Sequence, residues 1–208
     1  DLADARVALV GTGASAIQIL PELARTAAHV TLLQRTPAWI VPRGGDSYSD
    51  ADRARFAATP QALEALRADL YAEGEARFAS RSGDSAAAAE AVARAHLERQ
   101  VADPALRAAL TPDYAFGCKR VLLSDDFYPA VASDAVTLVR GALSAVEGST
   151  LVASDGSRHD VDALVLATGF ASTRQPYADL VRGTGGRTLA AHWSEGMTSF
   201  ASTVVAGF

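Results

Sequence analysis

The run Gly11-Thr12-Gly13-Ala14-Ser15-Ala16 has the residue types and spacing that bring an anion onto a polypeptide backbone. Gly11 permits a tight turn, Gly13 lets a pyrophosphate approach the chain, and Ala16 takes the third small position, where helix and strand pack closely. The N–H groups of the first helical turn and the helix dipole then meet the phosphate charge. Twenty-four residues past Gly11 stands Arg35, within Gln34-Arg35-Thr36. A carboxylate there would accept from a ribose 2′-hydroxyl and repel a 2′-phosphate, whereas a guanidinium grips that phosphate through two parallel bonds. The expected cofactor is therefore NADP(H). Two more groups carry chemistry. Lys119, the only lysine beside 18 arginines, precedes Arg120, and Thr168-Gly169 closes an apolar run at a place where α/β sheets bind ligands.

Other reactive side chains point elsewhere. His29, His96, His159 and His192 are scattered without metal-ligand spacing. Cys118 reads as a small buried residue rather than a reactive thiol. Asp125-Asp126 reads as a helix-start cap or loop pair rather than a base. Trp39 and Trp193 line either a cleft or a packed interior.

These groups need elements to hold them. Arg6 to Val10 is a short apolar run that stops at the glycine turn, as a strand buried on both faces does. Ala14 to Ala28 follows with apolar residues at helical spacing, with Pro21 expected to bend or shorten the helix. His29 to Gln34 is a second strand, which completes a βαβ unit. Residues 36–49 read as a loop. From Asp50 to about Leu110 the texture becomes Ala, Arg, Glu and Leu, giving about three helices with Asp50, Thr59, Asp84 and Asp103 as N-caps. This block looks inserted, and its small apolar side chains would pack thinly. Val136 to Val139, Leu143 to Val146 and Thr150 to Ala153 are short strands, with a tight turn at Asp155-Gly156. Val161 to Ala167 is predicted to be another buried strand.

The whole fits an α/β fold: a Rossmann-like NADP-binding domain, parallel sheet plus a small antiparallel meander, with an inserted helical block. At 208 residues and 49% hydrophobic content the chain can bury a real core. A single cysteine excludes a disulfide framework and a CxxC redox pair. A net charge of −5 offers no basic field for nucleic acid. No apolar run approaches the ~20 residues of a membrane span, and no signal-like segment opens the chain, so the expected location is cytoplasmic.

Val10 to Gln18, with Gln34-Arg35-Thr36-Pro37-Ala38-Trp39, resemble the NADP domain of class B flavoprotein monooxygenases. That family includes the Baeyer–Villiger monooxygenases and the related N- and S-oxygenating enzymes. Phe116-Gly117-Cys118-Lys119-Arg120 resembles its Lys-Arg segment, and Asp162 to Phe170 resembles its linker strand ending Ala-Thr-Gly. His192-Trp193 and Phe200 to Phe208 resemble the return toward the FAD domain. The resemblance implies a cycle in which NADPH reduces FAD, the flavin takes up oxygen, and a flavin peroxide oxygenates a small organic substrate, a ketone or heteroatom compound. It implies that Thr12 to Ala16 and Gln18 contact pyrophosphate and ribose. Arg35 and Thr36 would hold the 2′-phosphate with help from Lys119, and Arg120 would be the catalytic arginine. It implies a division into residues 1–45 and 111–170 as NADP-binding domain, 46–110 as helical insertion and 171–208 as the segment returning toward an FAD domain.

The family's FAD fingerprint is missing, because Gly183-Thr184-Gly185-Gly186 follows no strand and opens no helix. The Baeyer–Villiger signature is missing too. The expectation is thus a portion of a longer enzyme that binds NADP(H) but neither holds FAD nor catalyses alone. Two other classes compete. A non-catalytic NADP-sensing module would have no use for Arg120, and a flavin-linked disulfide reductase would need two redox cysteines.

Overall fold

Five residues, Arg6–Val10, form strand β1 in the middle of a parallel sheet, and all but Arg6 are buried. The computed structural model describes residues 2–45, 47–79, 84–170 and 175–208. These form two compact units, Asp1–Thr168 and Gly169–Phe208. After β1 the chain turns into helix α1, Ala16–Thr26, which runs through Pro21 and stops two residues short of the expected end. It returns as strand β2, His29–Gln34, parallel to β1 with Val10 opposite Leu33. Helix α1 places Ile17, Leu20 and Leu23 against the sheet, as helical spacing requires.

The segment expected to be a loop holds a two-residue strand, β3 (Ile40–Val41). Among the described residues four helices follow, where about three were expected: α2 (Asp50–Ala58), α3 (Pro60–Ala79), α4 (Asp84–Gln100) and α5 (Pro104–Leu110). The cap of α2 is Ser49, not Asp50. Its hydroxyl accepts from Asp52 N while the Asp52 carboxylate accepts from Ser49 N, a reciprocal capping box. Asp103 caps α5 as expected, accepting from Ala105 N at 2.9 Å. Thr59 directly precedes Pro60 at the start of α3. Asp84 is itself the first residue of α4, and Ser82 and Gly83 of that expected break lie outside the described residues.

Strand β4 (Leu122–Leu123) pairs in parallel with β3. Helix α6 (Phe127–Val131) and strand β5 (Val136–Arg140) follow, and β5 joins β2 in the main sheet. An antiparallel meander of β6 (Leu143–Glu147), β7 (Thr150–Ala153) and β8 (Arg158–Asp160) comes next. Strand β9 (Ala163–Leu166) completes the sheet in the order β5-β2-β1-β9. The expected parallel sheet with a small antiparallel meander is the architecture observed.

Strand β9 corrects one expectation. It was expected to be buried, yet it is an edge strand whose residues alternate in exposure, with Leu166 61% exposed. Its apolar run signals a parallel neighbour, while its edge position leaves one side uncovered.

The two faces of the sheet are packed differently. Val7, Leu9, Val30 and Leu32 meet α1 and the α6 residues Phe127 and Val131. Ala8, Val10, Leu33 and Val139 meet Leu151, Ala153 and Val161 of the meander region. At the opposite end from the glycine turn, Arg6 grips Asp162. Its Nη2 and Nε donate to the two carboxylate oxygens at 2.8 and 3.1 Å, and Arg6 N adds a third bond at 2.9 Å. Those bonds hold the Asp162 carboxyl down at about 2.

Within the second unit, Thr184 N and Oγ1 both donate to Gly207 O. A short helix, α7 (Leu189–His192), leads to Trp193, whose indole N–H donates to Thr198 O at 2.9 Å. The glycine-rich run at 183–186 forms a single 3₁₀ turn over Thr184–Gly186. Among the described residues no helix is long and apolar enough to cross a membrane.

Candidate functional site

The carboxyl ends of β2, β1 and β9 lie side by side, and the chain leaves the sheet there at Gly11, Arg35 and Thr168. Parallel sheets offer ligands this edge, at the strand where connections diverge to either side. Gly11 has φ +111°, and a Cβ on it would stand 2.5 Å from Ala167 O. No other residue type fits between β1 and the end of β9 without moving backbone. Gly13 differs: a Cβ there would meet nothing within 4 Å, so its space is open.

Open space at Gly13 faces a row of donors. Among the described residues, the backbone N–H groups of Gly13, Ala14, Ser15 and Ala16 have no protein acceptor. Ser15 occupies the N-cap position of α1 but makes no capping bond with its side chain. These are the orphan donors of a helix N-terminus, set where the dipole is positive. Gln18 turns its amide back to Ala14 O at 2.6 Å, so in this arrangement it braces the turn rather than reaching outward.

The second half of the site is joined to the first by one bond. Thr12 is buried, and its hydroxyl donates to Thr36 O at 2.9 Å. That bond ties the glycine turn to the turn holding Arg35, which is exposed and has no ion pair among the described residues. The preceding residue, Gln34, is buried and donates through Nε2 to Ala109 O at 2.8 Å. Its part in anchoring α5 was not legible in the sequence.

Strands β3 and β4 connect the segment carrying Lys119 and Arg120 to the chain leaving β2. Leu122 N donates to Trp39 O and Ser124 N to Val41 O, so the Lys-Arg segment is bonded to the chain leaving β2. Lys119 Nζ lies 4.4 Å from the centre of the Tyr114 ring. Tyr114 OH donates to Pro37 O at 3.1 Å, and Tyr114 O accepts from Trp39 Nε1 at 3.0 Å. Burial beneath this turn pushes the Tyr114 phenol up. Arg120 is exposed and lines an open hollow of about 480 Å³ with Gly117, Cys118, Lys119 and Val121.

One expectation changes here, and two open readings are decided. Cys118 is exposed rather than buried, because Gly117 at φ +86° turns it outward in a tight turn closed by Cys118 N on Ala115 O. Trp39 is a packed residue, its ring tilted against Phe116 with centroids 5.9 Å apart and Arg94 over its ring at 5.0 Å. The cap of α6 comes from Ser124, whose hydroxyl accepts from Asp126 N and Phe127 N. Asp125 instead accepts from Arg43 N and Gly44 N and fixes a loop. Gly169 belongs to the second unit and has φ +90°. Tyr114 went unremarked in the sequence, and its only signal there is an aromatic five residues before the single lysine.

No family model matches the chain. A "Baeyer-Villiger monooxygenase" of Streptomyces coelicolor is 45% identical over 210 residues, which cover 100% of this chain and 40% of that protein. Another protein of that name, from Pseudomonas aeruginosa, is 37% identical over the same shares. The chain thus spans about two fifths of the length of these curated relatives. Among solved structures, an oxidized steroid monooxygenase bound to NADP superposes with a TM-score of 0.78 at 26% identity, covering 100% of this chain and 47% of that one. Along its whole length, the chain is similar to a segment of two proteins named Baeyer-Villiger monooxygenase and of a solved steroid monooxygenase.

Proposed function

We propose that this chain is the NADP(H)-binding portion of a flavin-dependent monooxygenase, and that the whole protein performs the Baeyer–Villiger oxygenation for which its relatives are named. One observation carries the reading. Among the described residues, the Thr12–Thr36 bond sets an unpaired helix N-terminus and an unpaired guanidinium on one edge of a parallel sheet. Pyrophosphate and 2′-phosphate need that pair of features.

The residues fit the cofactor. Gly11, Thr12 and Gly13 form the turn, with open space at Gly13, and Ala14, Ser15 and Ala16 supply N–H donors to the pyrophosphate. Gln18 braces that turn. Arg35 and Thr36 take the 2′-phosphate, Lys119 adds a second cation, and Thr168 borders the site where the chain leaves β9. When bound, NADPH supplies the hydride for a flavin, which in turn supplies oxygen transfer. Arg120 is proposed as the catalytic cation. It keeps its charge when poorly solvated and stabilises negative charge developing on oxygen without exchanging a proton. Residues 1–45 and 111–170 form the nucleotide-binding portion, 46–110 an insertion, and 171–208 the return toward an FAD-binding part. The small organic substrate and FAD engage the whole protein.

Titration with NADPH and NADH tests the cofactor assignment. NADPH binds more tightly, and Arg35→Ala removes the preference by about 1.5–3 kcal/mol, the worth of a charge-assisted pair. Equal affinity for both nucleotides in the unaltered protein would sink it.

A further inference from the structure

Tyr114, two residues before the Lys-Arg segment, makes three contacts. Its hydroxyl donates to Pro37 O, the residue after Thr36; its carbonyl accepts from Trp39 Nε1; and its ring lies under Lys119 Nζ at 4.4 Å. A lysine on four rotatable bonds normally spreads its charge over many positions, and fixing it costs side-chain entropy. Here the aromatic face accepts the ammonium and narrows that spread before any ligand arrives. The same ring is bonded to the turn that follows Arg35. The two cations assigned to the 2′-phosphate are therefore linked through one side chain.

We infer that Tyr114 is a positioning residue for nucleotide selectivity, holding Lys119 at a set distance from the Arg35–Thr36 turn. The inference rests on the proposed role of Lys119. The hydroxyl bond holds the far end of the ring to Pro37, the carbonyl bond to Trp39 holds the backbone that bears it, and the ring fixes the ammonium. Loss of the ring frees Lys119 and weakens recognition of the 2′-phosphate alone. NAD⁺, which lacks that group, does not register the change.

A double-mutant cycle on the purified protein tests this, with NADP⁺ and NAD⁺ titrated separately and a thermal melt for each variant. Tyr114→Leu weakens NADP⁺ binding about two- to fivefold, the range of an exposed cation–π contact, and leaves NAD⁺ binding unchanged. Tyr114→Phe keeps the ring and gives up only the hydroxyl bond to Pro37 O, so it lowers the preference less than Tyr114→Leu does. In a Lys119→Met background, Tyr114→Leu costs nothing further, because the side chain it positions is gone. Equal losses for the two nucleotides, or a full additional loss beside Lys119→Met, overturn the inference and leave Tyr114 a structural residue. If Lys119→Met leaves the preference intact, the assignment of Lys119 itself fails and takes the inference with it. If Lys119→Met lowers the preference and Tyr114→Leu does not, the inference alone fails. Should Tyr114→Leu not fold, Tyr114→Met carries the same test, its longer side chain filling more of the ring's place.

Discussion

The parallel sheet and the helical block are built on opposite terms. Leu9, Val30 and Leu32 are wholly buried between the helices and the sheet, whereas α2 has no buried residue and α3 exposes Leu63, Leu70 and Tyr71. The block itself divides. Its later half packs Ala93, His96 and Leu97 inward, and it is held by individual side-chain bonds to backbone. Gln34 donates to Ala109 O, His96 Nε2 pairs with Ser124 O at 2.8 Å, and Gln100 donates to Asp125 O. Apolar burial is distributed over many residues, but a few directional bonds concentrate the attachment in a few places. The sheet therefore rests mainly on packing, while the later half of the block adds these directional bonds to the burial of Leu97, Val101 and Leu110 in the same core.

The largest effect should come from the sheet's core. Leu32→Ala is expected to lower unfolding free energy by about 2–5 kcal/mol in urea denaturation; a loss below about 1 kcal/mol would show that the sheet is not the dominant source of stability. Gln34→Ala ranks second. It leaves the Ala109 carbonyl without its donor and should cost about 1–3 kcal/mol, with faster limited proteolysis confined to residues 84–110. Proteolysis that stays at the original rate there would mean that packing alone secures α5. The smallest change belongs to α3. Leu70→Ala, at a side chain 52% exposed, should stay within about 0.5 kcal/mol, and a larger loss would reveal packing on α3 that the block does not display.

Much of the glycine-turn end of the sheet was legible in the sequence because local rules decide it. An apolar run, a glycine turn and a helical period each specify β1, α1 and β2 within a few residues, and the identity of Arg35 needed only its offset from Gly11. Distant partners decide the rest. An apolar run such as 161–167 signals a parallel strand but not whether it ends up central or at the edge, so the exposure of Leu166 could not be read. Two-residue strands such as Ile40–Val41 carry no period at all. Cys118 was expected inside on its residue type, but the left-handed Gly117 before it sets the direction. The contacts of Tyr114 and Gln34 each span about 75 residues of sequence and have no local signature.

The order of strands in the sheet also governs when the chain can finish folding. On one side β1 pairs with β2, only 23 residues later, as Arg6 opposite His29. On the other it pairs with β9, 156 residues later, as Val7 opposite Ala163. Closing the longer loop costs about 1.7 kcal/mol more in chain entropy than closing the shorter one. During synthesis β1 and the Gly11 turn can take their first neighbour almost at once. They keep an unpaired edge until residue 163 has been made, and Arg6 waits as long for Asp162. The nucleotide edge is thus assembled from the earliest and the latest parts of unit one, and the whole helical block emerges in the interval.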